Sequence, residues 1–174
     1  MDEKVISVFG SGRAAGGQPA YEMAARLGGL LAEAGFTVAN GGYGGTMLAC
    51  ARAAVEAGGK TIGVTCSAFG RSGPNPYITR EIVTSTLDER LDTLINLGQA
   101  YVVLPGGTGT LLELARVWEL KNKGFLSADK PIILCGDFWK PLVELVEADD
   151  PGAARAVRTA GDPEQVRDIL VQKV

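Results

Sequence analysis

Short runs of β-branched and apolar residues alternate along this chain with longer stretches whose apolar positions recur every three or four residues. Residues 4–9 form the first short run. Residues 20–34 place Met23, Leu27, Leu30 and Leu31 on one face, which predicts a helix ended by Gly35. Further strand-like runs fall at 36–39, 60–64, 100–104 and 131–135, with shorter candidates at 81–84 and 156–159. Helical spacing predicts helices over 46–57, 87–97, 111–123, 139–147 and 163–172. Continuous apolar strands alternating with helices predict an α/β fold, a mostly parallel sheet covered by helices on both faces. No linker or internal repeat interrupts the pattern, so residues 1–174 read as one domain.

Glycine punctuates this pattern where chemistry is expected. Sheets of this kind bind ligands at the carboxyl ends of their strands. Glycine-rich segments begin at Gly10, Gly41 and Gly106, each just after a strand, and therefore share one edge of the sheet. A strand, a glycine turn and a helix N-terminus make an anion site, because free backbone N–H groups and the helix dipole point at the same spot. Pro105-Gly106-Gly107-Thr108-Gly109-Thr110 has this form and adds two hydroxyls. Gly10-Ser11-Gly12-Arg13-Ala14-Ala15 fits the dinucleotide pattern only in part. Gly16, Gly17 and Pro19 delay the helix, and the second strand ends in Asn40 rather than a ribose-binding acid. The Gly-Lys-Ser/Thr of the phosphate-loop NTPases is missing. The loop 65–80 is rich in Gly, Pro and Ser and long enough to suggest a functional role.

Composition narrows the chemistry. The 24 glycines among 174 residues exceed the roughly 7% of an ordinary protein and fit the clustered loops. A net charge of −3 supplies no basic field, so no nucleic-acid partner is expected. No apolar run approaches the roughly 18 residues that span a bilayer, so no membrane association is expected, and the acidic N-terminus does not resemble a signal peptide. Cys50, Cys66 and Cys135 are odd in number and lie among apolar neighbours, as reduced thiols of a cytoplasmic protein would. There is no histidine. Ser-His-Asp and Cys-His schemes are thereby excluded, and so are the commonest zinc sites. A general acid or base must be a carboxylate, Lys, Tyr or Cys. No cofactor or metal is expected.

Two charged residues have competing readings. Thr110-Leu111-Leu112-Glu113 has the form of a capping box, in which Glu113 bonds back to the helix start, and Thr86-Leu87-Asp88-Glu89 has the same form. Arg90 opposes the dipole of its own helix and sits at the edge of the face made by Leu87, Leu91 and Leu94. It reads either as a salt bridge to Asp88, Glu89 or another acid, or as an anion clamp beside the glycine loops.

Taken together, these residues resemble the Lonely Guy family, long labelled possible lysine decarboxylases. Pro105-Gly106-Gly107-Thr108-Gly109-Thr110-Leu111-Leu112-Glu113 is similar to its PGGxGTxxE motif. Gly41-Gly42-Tyr43-Gly44-Gly45-Thr46-Met47 resembles GGGxxGLMG, and residues 57–64 resemble AGGxVIGV. Leu87-Asp88-Glu89-Arg90 resembles MHERK, with Arg90 and Glu113 twenty-three residues apart as that alignment requires. Leu91 stands where the family has lysine, Leu112 where it has the first of paired glutamates, and Gly10-Ser11-Gly12-Arg13 where it has CGSS.

The resemblance implies a Rossmann-like, doubly wound fold and a homodimer. It also implies a phosphoribohydrolase that cuts the N-glycosidic bond of a nucleoside 5′-monophosphate, either AMP or a cytokinin riboside monophosphate. Arg90 and Glu113 would be its catalytic pair. Gly10, Ser11, Gly42, Gly45, Thr46, Met47, Gly106, Gly107, Thr108, Gly109 and Thr110 would hold substrate and phosphate, with Met47 and residues 65–77 bordering the base. Molybdenum-cofactor carriers resemble the same glycine segments, so a non-catalytic carrier is the alternative. Lysine decarboxylation fits poorly, because Lys60 and Lys130 sit at strand starts and Lys121 and Lys123 end a helix. The helix 111–123, with Trp118, is a candidate dimer face, although packing on the sheet would give the same apolar pattern.

Overall fold

The structure, a computed structural model, describes residues 3–174. Met1 and Asp2, where the acidic N-terminal stretch begins, lie outside the described residues. The strands are β1 (Val5–Phe9), β2 (Thr37–Asn40), β3 (Thr61–Cys66), β4 (Arg80–Thr84), β5 (Ala100–Val103), β6 (Ile132–Cys135) and β7 (Val157–Ala160). The helices are α1 (Pro19–Glu33), α2 (Thr46–Glu56), α3 (Leu87–Leu97), α4 (Thr108–Asn122), α5 (Lys140–Asp149) and α6 (Pro163–Lys173).

All seven strands join one sheet in the order β4-β3-β2-β1-β5-β6-β7. Every neighbouring pair is parallel. The expected α/β, Rossmann-like, doubly wound architecture is therefore present, and the sheet is entirely rather than mostly parallel. The winding reverses between β1 and β5, where Phe9 pairs with Val103. Folds of this kind bind ligands at the carboxyl edge beside such a reversal.

Two-sided burial explains the composition of the strands. β1, β2, β3, β5 and β6 are buried along their whole length. On one face Leu27 and Leu31 of α1, Ala49, Cys50 and Ala54 of α2, and Val166 and Leu170 of α6 form a core with Ile6, Val38 and Val102. On the other, Leu91, Leu94 and Ile95 of α3 and Leu114 and Val117 of α4 pack on Phe9, Val64 and Val103. Buried polar groups in the strands find partners. The Ser7 hydroxyl donates to the Leu94 carbonyl at 2.6 Å, and the Tyr101 hydroxyl donates to the Ile95 carbonyl at 2.7 Å. Both bonds seat α3 firmly on the sheet.

Several boundaries differ from the sequence reading. α4 begins at Thr108, three residues earlier than its apolar period suggests, because Gly107 rather than Thr110 occupies the N-cap position. The short strand at 81–84 is present and gains Arg80, pairing with β3 from Ile62–Arg80 to Cys66–Thr84. The last strand shifts to 157–160 behind a 3₁₀ turn, Ala153–Ala156. Trp118 points inward, its indole N–H donating to the Ala153 carbonyl at 2.9 Å, so it packs within the fold rather than on an outer face. Cys50, Cys66 and Cys135 are buried free thiols, and burial pushes Cys50 and Cys135 up to about 12. No helix among the described residues is long and apolar enough to cross a membrane.

Candidate active site

Backbone bonds draw the three glycine segments together at the carboxyl edge. After β5, Leu104 N–H donates to the Phe9 carbonyl at 2.8 Å, and Ser11 N–H donates to the Pro105 carbonyl at 3.2 Å. The Ser11 carbonyl in turn accepts from Thr46 N–H at 2.8 Å and from the Thr46 hydroxyl at 3.1 Å. Such close approach has a sequence requirement. Gly45 has φ +66, and a Cβ there would collide with the Ser11 carbonyl. Asn40, the polar end of β2, accepts from Gly42 N–H at 2.8 Å through its Oδ1 and donates to the Met47 carbonyl at 3.1 Å through its Nδ2. One amide thus shapes the whole β2–α2 turn.

The start of α4 is the exposed part of this assembly. Gly107, Thr108 and Gly109 are open to solvent, and Leu111 N–H makes the bond that closes the first turn on the Gly107 carbonyl. The N–H groups of Thr108, Gly109 and Thr110 precede that bond and point off the helix end, as an anion cradle requires. Of the two expected hydroxyls, only that of Thr108 belongs to an exposed residue. Thr110 is buried beneath Gly106, where a Cβ would strike its hydroxyl. Ser11 uses its hydroxyl locally to accept from Arg13 N–H at 3.1 Å.

Glu113 lies in the second turn of α4, six residues in, too far along to serve as its cap. The capping-box reading of Thr110 and Glu113 is overturned for that reason. The matching reading at α3 holds on the cap side, where the Thr86 hydroxyl accepts from Glu89 N–H at 3.1 Å. The Glu89 carboxylate reaches instead to Ser85, accepting from its N–H at 2.8 Å and its hydroxyl at 2.7 Å. Glu89 is therefore occupied and does not partner Arg90.

Arg90 crosses from α3 to meet Glu113. Its Nη1 lies 3.6 Å from Glu113 Oε1, with the two side chains only 9% and 13% exposed. Its Nε donates to the carbonyl of Val64, within β3, at 2.8 Å. A distance of 3.6 Å is an ion pair without a tight hydrogen bond, which leaves the carboxylate oxygens able to accept from a bound group. Burial pushes the Glu113 carboxyl up to about 7, and the Arg90 cation pulls it part of the way back down. A buried carboxyl pushed toward neutrality and paired with a cation has the character of a catalytic acid or base. Gly41 makes room for this arrangement, because a Cβ there would strike the Arg90 guanidinium.

Residues 67–79, between β3 and β4, form a strap over the far side of the pair. Asn75 anchors it, donating from its N–H to the Gly42 carbonyl at 2.7 Å and from its Nδ2 to the Tyr43 carbonyl at 2.8 Å. The Tyr43 hydroxyl accepts from Cys66 N–H at 2.8 Å, fixing its ring beside Phe69 with centroids 6.0 Å apart. The Arg90 guanidinium carbon lies 5.7 Å from both rings, and that of Arg71 lies 4.6 Å from the Tyr43 centroid. Met47 stands nearby, its Sδ 2.7 Å from where a Cβ on Gly41 would sit. The sequence reading named no individual site role for Asn40, Tyr43, Phe69, Arg71 or Asn75, although the last three lie in the loop expected to border the base. An Asn closing an apolar strand and an aromatic inside Gly-Gly-Tyr-Gly-Gly were the available signals.

Residues 47–168, which contain Arg90, Glu113 and the glycine loop that begins at Gly106, match the family described as "Possible lysine decarboxylase", the Lonely Guy family. The chain belongs to that family. Over 129 residues it is 37% identical to a Mycobacterium tuberculosis protein named "Cytokinin riboside 5'-monophosphate phosphoribohydrolase". That stretch covers 68% of this chain and 63% of the relative, so the match spans less than two thirds of the relative's length. Among solved structures, the molybdenum cofactor binding protein of Rippkaea orientalis superposes with a TM-score of 0.81 at 26% identity, covering 99% of this chain and 98% of that one. The molybdenum cofactor carrier protein of Chlamydomonas reinhardtii gives 0.77 at 27%, covering 98% of each chain.

Proposed function

We propose that this Lonely Guy family member binds nucleoside 5′-monophosphates and hydrolyses their N-glycosidic bond, releasing free base and ribose 5-phosphate. AMP and cytokinin riboside monophosphates are the substrate class. The observation that carries the reading is the buried Arg90–Glu113 pair, set at the sheet's switch point beside an exposed helix N-terminus. The N–H groups of Thr108 and Gly109, with the Thr108 hydroxyl, would hold the 5′-phosphate. Cleaving the C1′–N bond develops positive charge on the ribose, which the Glu113 carboxylate stabilises while taking a proton from the attacking water. Arg90 holds Glu113 in place and keeps a useful fraction of it ionised near neutral pH.

A second reading has one specific observation in its favour. The end-to-end match to molybdenum-cofactor binding proteins fits a carrier that holds a phosphate-bearing ligand without cleaving it. The test that separates the two is incubation with AMP and with isopentenyladenosine 5′-monophosphate, followed by assay of free base and ribose 5-phosphate. Release of both products supports the hydrolase. Tight binding with no release supports the carrier.

The protein is proposed to act in the cytoplasm, where its three buried free thiols would remain reduced. It is also proposed to work as a homodimer through the outer side of α4, where Leu111 and Leu112 are exposed. Sedimentation velocity should then show a dimer for the wild type and a monomer for Leu112→Glu.

A further inference from the structure

Two arginines flank one aromatic pair, and only one of them has an acid. Arg90 approaches Tyr43 and Phe69 from inside the fold and is paired with Glu113. Arg71 lies over the Tyr43 ring at 4.6 Å and 5.8 Å from the Phe69 centroid, and it is exposed. Among the described residues no carboxylate forms an ion pair with Arg71. Stacking rather than charge therefore sets its position, and its N–H donors remain open. The Asn75 anchor and the bonded Tyr43 hydroxyl hold the surface on which it stacks.

A chain of contacts gives this cation a meaning. It runs from α4, whose N-terminus is open, through Glu113 and Arg90 to the Tyr43–Phe69 pair and Arg71. With the phosphate at the helix end and C1′ at Glu113, the base falls at the aromatic end. When the C1′–N bond breaks, its electron pair stays on the base nitrogen. Water oxygen bonds to C1′, and a water proton passes to Glu113. The departing base then carries negative charge until solvent protonates it. Glu113 has taken its proton from the water at C1′, and Arg90 is engaged by Glu113 and the Val64 carbonyl, which leaves Arg71 as the cation with open donors beside the aromatic pair.

We infer that Arg71, on the strap between β3 and β4, is a catalytic residue that donates a hydrogen bond to the leaving base and stabilises the electron pair it carries away. The inference rests on the hydrolase reading. Removing one charged donor from a developing anion lowers kcat by roughly 10- to 100-fold at a partly exposed position.

The experiment compares wild type, Arg71→Ala and Arg71→Lys on AMP and on a series of other nucleoside monophosphates that the wild type cleaves. Arg71→Ala should lower kcat on AMP by that amount with KM changed less than about threefold. Arg71→Lys should recover part of the loss, and the loss should grow with the basicity of the departing base. A loss carried by KM alone, or equal across the series, would mean that Arg71 only shapes the strap and would overturn the assignment. If the wild type releases base from no nucleoside monophosphate, the hydrolase reading fails and this one falls with it. If the wild type turns over and Arg71→Ala keeps full kcat, only the assignment of Arg71 falls.

Discussion

At the scale of single residues, the unusual group is Glu113. Its folded value of about 7 lies well above the ordinary 4.5 because desolvation outweighs the pull of Arg90. The folded protein therefore favours the protonated carboxyl. Stability from this group is complete below about pH 4.5 and is lost as pH rises through about 7, a change of about 3 kcal/mol once ionised. Glu113→Gln lacks that titration. In urea unfolding, wild-type stability relative to Glu113→Gln should decline between pH 5 and 8, and a difference that stays flat would show the carboxyl unperturbed. Activity should run the other way. kcat/KM on AMP should rise with an apparent pKa near 7 as the carboxylate forms, and a rate already full at pH 5 would contradict a raised value. Arg90 and Glu113 were both legible in the sequence through their interval and their motif context. Their pairing was legible only through the family resemblance, because an arginine at the edge of one helix face has several acids within sequence reach. Only the seating of α3 on β3 and the occupation of Glu89 by Ser85 select Glu113.

At the scale of elements, α3 and α4 carry the Arg90–Glu113 pair, and each begins in a way that the proposed chemistry would use. α3 has a side-chain cap at Thr86, which fixes the turn from which Arg90 departs. Thr86→Ala should cost about 1 kcal/mol of stability. Its kcat should fall little below the melting transition, since the Ser7 and Tyr101 bonds still hold α3 to the sheet. A thermal melt paired with an AMP assay checks both parts. α4 has no side-chain cap, and its open N-terminus is what a phosphate needs. This is also where local sequence misled. Thr-x-x-Glu satisfies the capping pattern whether or not the helix starts there, and the apolar period of α4 becomes visible only at Leu111. The preceding turn, with glycine at two of its positions, carries no periodic signal. β1, β2, β3, β5 and β6 were legible because burial on both faces of a parallel sheet leaves continuous apolar runs, and the other helices because their apolar positions recur every three or four residues. The strap was legible only as a long loop, since the stacking of Arg71 on Tyr43 depends on tertiary placement.

At the scale of the whole molecule, the parallel sheet gathers every strand-following loop at one edge, and folds of this kind bind ligands there, beside the reversal between β1 and β5. Three glycine segments, one buried ion pair and one aromatic strap meet there. The same architecture serves cofactor carriers that superpose on the chain from end to end, so fold alone does not decide between cleaving and carrying. What decides is whether Glu113 turns over a bound nucleotide. The most direct measurement is the single-turnover rate of adenine release from AMP by wild type and by Glu113→Gln, with AMP affinity of both determined by calorimetry. The account predicts that the wild type releases adenine and ribose 5-phosphate in equal amounts, while Glu113→Gln binds AMP within about tenfold of wild type and releases adenine at least about 1,000-fold more slowly. Adenine release by Glu113→Gln at the wild-type rate, or tight AMP binding by the wild type with no release, would contradict it.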